Sequence, residues 1–91
     1  MEWYKFIVYG HVQGVFYRKS VSQALMKRQF KGYIRNIDDG TVEVVAEVFD
    51  DDFDTFMNIL KEGSLLSSVE DVKYEIFDDA VFNTDGFEIR Y

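Results

Sequence analysis

A chain of 91 residues is long enough for one small domain with its own core, and a content of 47% hydrophobic and 18% aromatic residues exceeds what a disordered chain carries. The formal net charge of -7 sets it against nucleic acid, whose binding relies on lysine and arginine displacing counterions, but leaves a small phosphate ligand open, because distant carboxylates are screened. The absence of cysteine removes disulfides, Cys-based zinc sites and thiol nucleophiles, and no apolar run approaches the length that spans a bilayer.

Tyr4, Phe6 and Val8 alternate with Lys5 and Ile7, which predicts a first strand that stops at Gly10. Gly10-His11-Val12-Gln13-Gly14-Val15-Phe16-Tyr17-Arg18 follows as a glycine-containing loop leading into a helix. Such a loop has the parts of an anion cradle: unpaired helix N-terminal amides, a glycine that lets the chain curl, and an arginine fork. Most two-glycine loops are nevertheless plain turns.

The helix is predicted from about Tyr17 to Arg28, with Tyr17, Val21, Ala24 and Leu25 on its apolar face and Gly32 at its exit. A second strand is expected over Tyr33 to Ile37, and Asp38-Asp39-Gly40 reads as a tight turn into a third carrying Val42, Val44, Ala46 and Val48. Asp50, Asp51 and Asp52 lack the alternating oxygen ligands of a calcium loop and fit the start of a second helix, with Phe53, Phe56, Met57 and Leu60 on one face. Lys61 and Gly63 suit its end, Ser64 to Ser68 a loop, and Val72, Tyr74 and Ile76 a fourth strand. A turn at Asn83-Thr84-Asp85-Gly86 precedes a short final strand with Phe87, Ile89 and Tyr91.

This order, β-α-β-β-α-β plus a terminal strand, predicts the α+β class: a ferredoxin-like sandwich with an antiparallel sheet of four to five strands and two helices on one face. Strands one and two should run parallel, so both end at the sheet edge from which the glycine loop leaves. Strand parity puts Asn36 on the face of Ile34, toward that loop. Amides, one arginine and one carboxamide then converge with no obvious side chain to act as a base, a set sufficient for phosphoryl transfer to water. The carboxamide can position water without adding negative charge beside the phosphate.

Plainer readings stand beside these. Arg18 also fits an exposed residue of a first helical turn, and Asn36 a strand-end residue before Asp-Asp-Gly. His11, the one histidine, fits a solvated loop position. Trp3, Ile7, Tyr9, Thr41, Glu43, Val45 and Glu47 should lie on the sheet face that no helix covers, as ordinary exposed side chains. RNA-recognition modules stack bases on such a face, but Glu43 and Glu47 oppose a polyanion there.

The nine-residue loop together with Gly32-Tyr33-Ile34-Arg35-Asn36-Ile37-Asp38-Asp39-Gly40-Thr41-Val42-Glu43 resembles the two motifs of the acylphosphatase family, and the likeness runs from end to end, through Gly63 to the Phe-x-Ile-x-Tyr pattern of Phe87 to Tyr91. The resemblance implies hydrolysis of the carboxyl-phosphate bond of small acyl phosphates to carboxylate and inorganic phosphate, without metal or cofactor. It assigns phosphate binding to Arg18, water orientation to Asn36, and the phosphate-holding amides to Val12, Gln13, Gly14, Val15, Phe16 and Tyr17. Many relatives have proline after the glycine that ends helix two. Here Ser64 follows Gly63, which bears on the stiffness of that loop rather than on the chemistry.

The partners expected on this basis are a small acyl phosphate and inorganic phosphate as product and inhibitor, with no nucleic acid and no membrane. A single acylphosphatase-like domain over residues 1–91, a monomer, is expected in the cytoplasm, since Met1-Glu2-Trp3-Tyr4-Lys5 does not open a secretory signal. The alternative is a non-catalytic module of the same fold that binds a phosphate or acyl-phosphate group or a protein partner.

Overall fold

The computed structural model describes residues 2–77 and 86–90. Its elements are β1 (Glu2–His11), α1 (Tyr17–Lys27), β2 (Lys31–Asn36), β3 (Val42–Val48), α2 (Phe53–Glu62), β4 (Ser68–Ile76) and β5 (Phe87–Ile89), with a 3-10 turn at Asp50–Asp52 before α2. The strands form one sheet in the order β4-β1-β3-β2-β5. Neighbours are antiparallel except β2 and β5, which pair in parallel, so the ferredoxin-like α+β sandwich has a mixed sheet. β1 and β2 both run opposite to β3 and hence parallel to each other, as their connection through α1 requires.

The register explains the core. Phe6 and Val8 lie opposite Val44 and Val42, and Ile34 lies opposite Val44, so all five point to one face. Tyr17, Val21 and Leu25 of α1 and Phe56 and Leu60 of α2 close over them. Phe6 and Phe56 stack at 4.8 Å between centroids, and Phe30 meets Phe56 edge-on at 5.0 Å. Ala24, expected on the buried stripe, is only half-buried. Ser22 is buried instead, with its hydroxyl donating to the Lys19 carbonyl at 3.0 Å.

Three local expectations are corrected. β1 does not stop at Gly10 but runs to His11, with a register shift against β4 between Tyr9 and Gly10. Gly32 is not the exit of α1: it lies within β2 opposite Ala46, and α1 ends through Arg28 with Gln29 left-handed at φ 63°. The aspartate run makes a 3-10 turn rather than the first α turn, although its charges still sit at the positive end of α2. The turn expected at Asn83 to Asp85 and the strand position of Tyr91 lie outside the described residues.

The face without helices is not a row of ordinary exposed side chains. Tyr33, Thr41, Glu43 and Val45 are buried there by their neighbours. The Tyr33 hydroxyl donates to Glu43 Oε1 at 2.9 Å, and Arg35 donates from Nε to Oε1 at 3.1 Å and from Nη2 to Oε2 at 3.3 Å. The Arg90 guanidinium lies 4.1 Å from the centre of the Tyr33 ring. The oxygens of Glu43, only 6% exposed, are thus met by a guanidinium and a phenol, the partners a buried polar group needs.

Candidate active site

Between β1 and α1 the chain is pinned at both sides. Val12 and Val15 are buried in the core and Tyr17 begins α1, so the backbone from Gln13 to Phe16 must arch outward. Gly14 has φ 74° and Phe16 φ 62° with ψ 19°, both left-handed, while Val15 between them is not. Alternating the hand of successive residues turns their amides toward one side, the geometry of an anion nest. Among the described residues, the main-chain N–H groups of Gly14 to Tyr17 meet no carbonyl partner.

Phe16 departs from what a helix start normally holds. It occupies the N-cap of α1, where a serine, threonine or aspartate would satisfy a free amide, and it offers no side-chain cap. Its ring is 69% exposed, and a left-handed phenylalanine costs roughly 1–2 kcal/mol. The start of the helix is therefore left open at local expense.

A cavity of about 270 Å³ lies over this arch, lined by Val12, Gly14, Phe16, Tyr17, Arg18, Lys19, Asn36 and Ile89. Arg18, in the first turn of α1, is half-buried and donates from Nη1 to the Arg90 carbonyl at 3.1 Å, so the residue that follows β5 supports it. Asn36 is the last residue of β2 and lies opposite Val42 on the helix side of the sheet. Among the described residues its carboxamide has no hydrogen-bond partner, which leaves both donors and its acceptor for the cavity. Among the described residues the cavity lining contains no imidazole or carboxylate, and exposed His11 pairs with Ser68 outside it.

Two loop residues expected at the site turn their side chains elsewhere. Val15 packs in the core. Gln13 donates from Nε2 to the carbonyls of Ile37 and Thr41 at 2.7 and 2.8 Å, tying the arch to the β2–β3 turn immediately after Asn36. That turn is itself closed by the Ile37 amide on the Thr41 carbonyl at 2.9 Å and by Asp39, which accepts from the Thr41 hydroxyl at 2.6 Å and the Thr41 amide at 3.0 Å. These bonds from Thr41, the hydroxyl first, hold the Asp39 carboxyl below the usual carboxylate range.

The end of α2 grips the arch from the other side. The Tyr17 hydroxyl donates to the Leu60 carbonyl at 2.7 Å, and burial pushes its phenol well above the usual range, so it stays a donor. Ser64 donates to the Val15 carbonyl at 2.6 Å. Lys19, Ile89 and Ser64 were not anticipated. Lys19 reads as one more solvated helix lysine, Ile89 reaches the site only through the parallel β2–β5 pairing, and a loop serine has no periodicity to give it away.

The arrangement suits a small tetrahedral dianion: free amides and a guanidinium for its oxygens, a second cation at the rim, and one neutral carboxamide beside it. A family model described as acylphosphatase matches residues 4–89. The acylphosphatase of Haloarcula marismortui is 39% identical over 84 residues, which cover 92% of this chain and 90% of its own. That of Bacillus licheniformis is 43% identical over 72 residues, covering 79% and 80%. The crystal structure of acylphosphatase from Bacillus subtilis superimposes with a TM-score of 0.88 at 35% identity, covering 100% of both chains. HypF from T. kodakarensis, 23% identical with a TM-score of 0.84, shares the fold over 12% of its length.

Proposed function

The chain belongs to the acylphosphatase family of hydrolases acting on acyl phosphates, and from that premise we propose that Arg18 and the amides of the Val12–Tyr17 arch hold the phosphoryl group while Asn36 directs the attacking water. The water oxygen bonds to phosphorus as the bond from phosphorus to the carboxyl oxygen breaks in line. The carboxylate leaves with the electron pair, and a water proton passes to a phosphoryl oxygen. A base from the protein is not required, because the leaving carboxylate is stable and the substrate carries its own acceptor oxygens. The arch and Arg18 act by electrostatic preorganisation, and Asn36 by restricting the orientation of the water.

The observation that carries this reading is the shared cavity of Arg18, Asn36 and the unpartnered arch amides. Independence from metals, a monomeric state and a cytoplasmic location belong to the same proposal. The test is hydrolysis of benzoyl phosphate by the purified protein with a chelator present. Loss of the mixed anhydride well above the buffer rate is expected. A rate equal to buffer, with inorganic phosphate still bound, would replace catalysis by binding, and inhibition by the chelator would refute metal independence.

A further inference from the structure

The hydroxyl of Ser64 lies 2.6 Å from the Val15 carbonyl, which belongs to the same peptide unit as the Phe16 N–H. A peptide unit is planar and trans, so its N–H and C=O point in opposite directions. Fixing the carbonyl toward α2 therefore aims the Phe16 amide the other way, toward the cavity that Phe16 lines. We propose that Ser64 is a positioning residue for phosphate binding, acting by setting the direction of the Phe16 amide. The inference rests on the Val12–Tyr17 arch being the phosphate cradle.

The surroundings of Ser64 leave it little freedom to do otherwise. Its own N–H donates to Ser67 Oγ at 2.9 Å, and Ser67 Oγ donates back to the Ser64 carbonyl at 2.9 Å, closing a tight turn. The preceding Gly63 has a positive φ of 57°, and a Cβ there would lie 2.7 Å from the Tyr17 ring and 2.5 Å from Ser67 Oγ. The end of α2 is thus seated directly on the residue that follows Phe16. Among the described residues the Phe16 N–H meets no carbonyl, and its own carbonyl accepts from Ser20 at 3.0 Å, so the donor remains for a ligand.

A proline at position 64 would lack both the hydroxyl and the N–H used here. The serine holds the arch by hydrogen bonds where a ring would hold the loop by stiffness.

The test combines amide NMR of the unmodified protein with calorimetry of two variants, using inorganic phosphate as the probe. The Phe16 amide should be among those displaced furthest downfield on titration. Ser64→Ala should raise the Kd for phosphate, and KM with it, about three- to tenfold with kcat little changed, as expected for losing one hydrogen bond shared by ground and transition states. Ser64→Thr, which keeps a hydroxyl, should restore the affinity.

A Phe16 amide unmoved by saturating phosphate would overturn the proposal whether or not the variants fold. So would a Ser64→Ala Kd within about twofold of the parent, or equal weakening by alanine and threonine, since a packing role alone gives no such split. If the parent hydrolyses benzoyl phosphate while any of these holds, only the role of Ser64 fails. If the parent binds no phosphate, the cradle and the role of Ser64 fail together.

Discussion

Asn36 is exposed and its side chain has no hydrogen-bond partner among the described residues, so its replacement separates chemistry from stability. Asn36→Ala should lower kcat by about 100-fold or more while inhibition by inorganic phosphate and the thermal midpoint stay near those of the parent, measured by initial rates and calorimetry. Arg18→Ala should weaken both turnover and phosphate inhibition, because in the proposed role the guanidinium meets the anion in ground and transition states alike. Gln13 belongs to the same scale. Gln13→Ala frees the Ile37 and Thr41 carbonyls and should lower kcat about tenfold, and Gln13→Glu should be worse, because a carboxylate would face two carbonyl oxygens. Retained full activity in Gln13→Glu would show that the tie does not set the geometry. That Arg18 and Asn36 line one cavity was legible in the sequence, because one follows a glycine loop and the other obeys strand parity. The direction of the Gln13 and Ser64 side chains was not, because a polar side chain in a loop takes its partner from tertiary packing, which no spacing encodes.

At the scale of elements, periodicity located every strand and both helices of the described residues, and failed where a neighbour decided the outcome. Gly32 looks like helix punctuation, yet it is a strand residue opposite Ala46, and Gln29 takes the left-handed turn in its place. The link between the helices, Tyr17 to Leu60, is equally invisible along the chain. Tyr17→Phe removes that bond and leaves a buried carbonyl unmet, so the thermal midpoint should fall by several degrees, corresponding to about 1–2 kcal/mol. The helix-free face of the sheet has its own signature in pH. Burial, then the hydrogen bond and charge of Glu43, raise the Tyr33 phenol to about 12. A raised folded value means the stabilisation is complete below the unfolded value of 10.0 and is lost as pH rises toward 12. Denaturant midpoints followed through that window should decline less steeply for Tyr33→Phe than for the parent. Parallel slopes would show that folding does not raise the phenol.

For the whole molecule, charge and topology act together. A net charge of -7 and the neutralised Glu43 cluster leave the open sheet face without the basic character that a polyanion needs, so salt-dependent RNA binding should be absent in a filter or fluorescence assay. The order of elements was enough to specify the sandwich, since two amphipathic helices need one shared apolar face. It left the parallel edge strand undetermined, because β5 could have joined either side of the sheet by periodicity alone. The uncapped beginning of α1 carries one more implication. On the proposed reading, a tetrahedral anion seated on those amides would complete the helix in the way a capping side chain normally does, at a site that only the folded arch provides. Inorganic phosphate at about 100 times its Kd should therefore add roughly 2.7 kcal/mol against unfolding, so that the proposed reaction product would double as a thermal protectant of the molecule that releases it.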